Sequence, residues 1–68
     1  MRIQFGTWIH NCEFVSNPGN SNLINALTKN GIYTIVFDTE QEAFMAYKQI
    51  LTKGYYDATN NTYSNWKG

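Results

Sequence analysis

The chain has 68 residues, enough for one domain spanning 1–68, and its five basic residues balance five acidic ones. Arg2, Lys29, Lys48, Lys53 and Lys67 are spread along it, which argues against a phosphate-backbone binder built on clustered Lys and Arg. A lone cysteine, Cys12, excludes an internal disulfide; with His10 it makes only two metal ligands, so neither a metal nor a cofactor is expected.

So short a chain buries only about 60% of its unfolded surface. Without staples its stability must come from packing, with aromatics at 16% of residues, or from self-association. No apolar run is long enough to cross a membrane. No apolar h-region follows Met1-Arg2, so a cytoplasmic location is expected.

Residues 2–9 alternate, with Ile3, Phe5, Thr7 and Ile9 on one side and Gln4, Gly6 and Trp8 on the other. A turn at His10-Asn11 then predicts a hairpin that pairs Ile9 with Cys12 and Thr7 with Phe14 on the Ile3/Phe5 face. That register puts Trp8 and Val15 on the second face. Ser16 to Ser21 carries Asn-Pro-Gly and reads as a loop. Leu23 to Asn30 reads as a short helix, capped by Ser21 and stopped by Gly31.

Ile32 to Phe37 is a strand that is apolar on both faces. Such a strand is covered on both sides, or has one face closed by a partner. A helix over about 39–53 follows. Thr39 and Glu42 form a capping box, acidic residues crowd its start, and Gly54 ends it. Its predicted buried stripe is Ala43, Phe44, Tyr47, Ile50 and Leu51. Met45 falls on the polar side.

The predicted order is β-β-α-β-α: a small α+β domain with a three-stranded, mostly antiparallel sheet. Residues 1–54 form the folded unit and 55–68 an aromatic C-terminal tail, ordered because disordered tails are poor in aromatics. Asn60-Asn61 marks a small hairpin there or the tail runs as an extended arm.

The segment GIYTIVFDTEQEAFMAY resembles the third strand and second helix of an RNA-recognition motif. Ile32 and Thr34 stand where that family has stacking aromatics, Asn30 replaces the basic residue before the glycine, and the chain is too short for the full fold. RNA binding therefore does not carry over.

No catalytic residues are identified. His10 and Cys12 lack a third orienting group. Asp38, Glu40 and Glu42 are accounted for by capping, and no Gly-rich phosphate loop occurs. The expectation is a non-enzymatic protein-binding module: an adaptor, inhibitor or oligomer subunit, of a composition that suits a phage or mobile-element product. Its partner is another protein or a second copy of itself. The candidate contact residues are Trp8, Met45, Tyr55, Tyr56, Tyr63 and Trp66, because Tyr and Trp among Asn and Ser make adaptable binding surfaces. The alternative is a weak single-stranded nucleic-acid binder that stacks bases on the tail aromatics.

Overall fold

The computed structural model describes residues 1–66; 67 and 68 lie outside it, as does the side chain of Trp66. In chain order the elements are β1 (Arg2–Phe5), β2 (Trp8–Ser16), a 3-10 turn (Pro18–Asn20), β3 (Leu23–Thr28), β4 (Gly31–Val36), α1 (Glu40–Lys53), β5 (Tyr55–Asp57) and β6 (Thr62–Trp66). Among the described residues the strands form one six-stranded mixed sheet in the order β5-β1-β2-β3-β4-β6. Neighbours are antiparallel except β5, which runs parallel to β1. The fold class is α+β, but the three-stranded β-β-α-β-α arrangement is overturned.

The first correction is the opening hairpin. Its turn is Gly6-Thr7, where Gly6 takes a left-handed φ of 66°. Strand β2 then runs straight through His10-Asn11. The register pairs Phe5 with Trp8 and Ile3 with His10, which puts Ile9 on the opposite face. A shift between Cys12 and Phe14 marks a β-bulge around Glu13. A bulge adds one residue and reverses the alternation beyond it. Val15 therefore points into the core, while Phe14 points out.

The second correction is residues 23–30. LINALT is strand β3, joined to β4 by the two-residue turn Lys29-Asn30. The Thr28 hydroxyl holds that turn, donating to the Gly31 carbonyl at 3.0 Å and accepting from the Asn30 N–H at 3.1 Å. Apolar residues at 23, 24, 26 and 27 fit a helical stripe and a two-sided strand alike, and pairing with β4 decides for the strand.

Helix α1 forms as read. The Thr39 hydroxyl accepts from the Glu42 N–H at 3.1 Å, and Gly54 closes the helix at φ 73°. The buried stripe differs: Ala43, Ala46 and Ile50 face the sheet, with Tyr47 half-buried beside them. Phe44 is 45% exposed and Leu51 55%. Two alanines let the helix lie close to the sheet, which turns the larger side chains out to the flanks.

The tail is part of the sheet. Strands β5 and β6 do not pair as a hairpin; they occupy opposite edges although only residues 58–61 join them. A connection so short forces the sheet to curl until its edges approach. Phe5 of β1 accordingly meets Tyr63 of β6 with ring centroids 4.3 Å apart and stacks on Tyr33 of β4 at 4.7 Å. The link is pinned by the Ala58 N–H to the Gln4 carbonyl at 2.8 Å and the Gly6 N–H to the Thr59 hydroxyl at 2.9 Å. The Asp57 carboxylate accepts from the Thr59 hydroxyl and backbone N–H; both bonds hold its pKa below the ordinary value.

The core fills the concave side of this curled sheet. Ile3, Ile24 and Ile35 from three strands and Ile50 from the helix are fully buried, with Phe5, Val15, Tyr33 and Phe37 around them.

Candidate protein interface

One face of the sheet is closed by α1 and the other is bare. Alternation and register define the bare face over β2, β3, β4 and β6. Phe14, Leu27 and Ile32 stand side by side across three strands. The next rung is polar, with Ser16, Asn25, Thr34 and Ser64, and the Thr34 hydroxyl donates to the Asn25 side-chain oxygen at 2.9 Å. Beyond it Leu23 pairs with Val36. Phe14 is 60% exposed and Leu27 40%, and Val36 and Ile9 are exposed as well.

Antiparallel sheets with one solvated face ordinarily alternate apolar-in and polar-out. Strands β3 and β4 depart from that pattern. Their outward positions are Leu23, Asn25, Leu27, Ile32, Thr34 and Val36, with no charged residue among them. The sequence reading saw the two-sided character of β4. It missed Phe14, which it assigned to the core face because the bulge at Glu13 leaves no local signature.

The six residues selected from the sequence do not form one patch. Trp8 is well exposed at the first turn, with its ring edge-on to His10 at 6.3 Å. Tyr63 lies nearby in the fold, against Phe5. Met45 is exposed on the helix and borders a groove with Tyr56, Phe37 and Gln49. Tyr56 donates its hydroxyl to the Asn61 side-chain oxygen at 3.0 Å, and its ring packs near Phe37 at 6.0 Å. Burial raises its hydroxyl pKa, helped by the nearby charges of Asp57 and Glu42. Tyr55 donates to the Gln4 side-chain oxygen and lies under Arg2, whose guanidinium carbon is 5.8 Å from the ring centroid. Trp66 stands opposite Ile32 in the register of β6 and β4, and its side chain falls outside the described residues.

No catalytic constellation joins these residues. Cys12 is buried, and its thiol donates to the His10 carbonyl at 3.9 Å rather than meeting the imidazole. Burial pushes the thiol pKa up, against a smaller downward pull from the N-terminal ammonium, which is the reverse of what an activated nucleophile needs. His10 packs between aromatic rings, 4.9 Å from Tyr33 and 5.7 Å from Phe5. Among the described residues no three His, Cys, Asp or Glu side chains gather to hold a metal ion. No helix among them is long and apolar enough to cross a membrane.

No protein-family model matches this chain, and no curated protein or solved structure matches it either.

Proposed function

We propose that this chain is a non-enzymatic protein-binding module whose contact surface is the bare face of β2, β3 and β4. The observation that carries the reading is the row Phe14, Leu27 and Ile32, exposed or half-exposed on a face with no charged side chain on β3 or β4. Contiguous apolar surface of this kind marks interaction sites on small soluble domains. Aromatic residues at the centre of such surfaces contribute most to binding, which singles out Phe14.

The nucleic-acid alternative has less support. A stacking platform needs free ring faces beside basic residues. Tyr55 and Tyr56 are half-buried with hydroxyls engaged, and Tyr63 rests on Phe5.

The test is binding by the immobilised chain, compared with two charged variants. Phe14→Glu with Leu27→Glu should abolish capture of the bound protein, while Phe44→Glu with Leu51→Glu on the helix flank should leave capture intact. Equal capture by both variants, or selective loss in the helix variant, contradicts the assignment.

A further inference from the structure

Three apolar regions of the surface compete to be a contact site. The groove between α1 and the β5–β6 corner is bordered by Met45 and Tyr56 but also by Gln41, Glu42, Gln49 and Asn61, a mixed polar lining. The helix flank exposes Phe44 and Leu51, yet Lys48 lies over the Phe44 ring at 5.5 Å from its centroid and already shields it. The bare sheet face is neither interleaved with charge nor covered.

We infer that the occupant of the bare face is a second copy of this chain, in a two-fold dimer that packs sheet against sheet. The inference rests on the reading of that face as the contact surface and names what fills it. Four observations point to self-association. The chain carries no net charge, so two copies meet without net repulsion. The face offers no charged group by which a charged partner would be selected, whereas an isologous contact asks only that the face complement itself. Neutral apolar rows meeting through a two-fold axis satisfy that condition. At its border Glu13 and Lys29 line one groove, so an acid and a base are available at the rim to pair across copies.

Size supplies the fourth argument. The molecule measures 27 × 25 × 20 Å, so a broad face is close to the roughly 800 Å² per partner of a standard interface. Three of its thirteen buried apolar side chains are alanines, at 26, 43 and 46, and a fourth is Ala58, so the intramolecular core is small. Sheets packed face to face stand about 10 Å apart at about 30°, which brings Phe14 and Leu27 of one copy within reach of their counterparts. The polar rung of Asn25 and Thr34 then lies between two apolar rows and can bond across the interface.

Sedimentation equilibrium of the full chain from micromolar to millimolar concentration tests this. The expected mass rises to twice the 7.8 kDa of one chain. Phe14→Glu with Leu27→Glu should return it to a single-chain mass with an unchanged circular dichroism spectrum. Phe14→Ser, a milder change at an already exposed position, should weaken the dimer at least tenfold if the charged variant fails to fold. The helix variant Phe44→Glu with Leu51→Glu should remain dimeric. A single-chain mass at millimolar concentration overturns the dimer, as does a dimer that Phe14→Ser leaves unchanged. The first result, combined with capture of a different protein that depends on Phe14, removes self-association while keeping the binding reading. Loss of both removes the site itself.

Discussion

The two faces of the sheet are made from the same strands and have opposite fates. On the inner face Ile24 and Ile35 are fully buried beneath Ala43, Ala46 and Ile50 of the helix. One residue away along the same strands, Leu27, Ile32 and Val36 point outward with nothing over them. Hydropathy alone does not distinguish the two sets. What separates them is the single helix available to cover a sheet with two apolar sides. A domain of this length has one layer to spend on one face, so the other is left for something outside the chain.

The sharpest way to break this comparison is truncation on each side. Ile35→Ala opens a cavity in a site that cannot refill and should destabilise the fold by about 2–5 kcal/mol in urea titration. Phe14→Ala on the outer face removes more carbon, yet under conditions that keep the chain monomeric it should stay within about 1 kcal/mol of the parent. Equal losses would mean that the outer face is buried within the chain.

A smaller effect tests how the helix is held to the inner face. Gly54→Ala forces an alanine into a left-handed φ of 73°, with no nearby atom for its Cβ to strike, so backbone strain alone should cost about 1–2 kcal/mol. Thr39→Ala loses the hydroxyl that caps the Glu42 N–H and should cost about 1 kcal/mol. Thermal melts of both variants measure these losses. Neither change should alter self-association, because both lie on the covered side.

The smallest effects are in pH. Cys12 on the inner face and Tyr56 at the helix border both have pKa values raised by burial, from ordinary values of 9.0 and 10.0. A raised folded pKa contributes stability below the ordinary value that is lost as pH rises through the shifted one. Stability should therefore fall from about pH 9 upward. Asp57 has the opposite sign: its lowered pKa supports the fold above the ordinary 3.8 and weakens as pH falls through it. Urea midpoints across this range check both limbs. Cys12→Ser should shorten the alkaline limb.

Local chemistry made the helix legible: Thr39, Glu42 and Gly54 act within a turn of themselves. Strand β4 was legible as an apolar run, and its two-sidedness already pointed to a partner. The other strands depend on distant residues. Strand β3 carries a pattern that fits helix or strand, and only pairing with β4 across Lys29-Asn30 decides. Strand β5 has three residues and exists because it lies beside β1, more than fifty residues earlier. For the candidate surface the decisive feature was the bulge at Glu13. One extra residue carries Phe14 from the core to the outside and Val15 the other way, and alternation read from the sequence has no means to register it.

Solvent paramagnetic relaxation of methyl groups reads both faces in one spectrum and so tests the central claim most directly. In dilute solution Leu27, Val36 and Ile9 should relax strongly while Ile24 and Ile35 stay protected. As concentration rises, protection should spread to Leu27 and Val36 but not to Leu51 on the helix flank. An outer face that remains fully accessible at millimolar concentration, or that is already protected in the dilute monomer, contradicts the account.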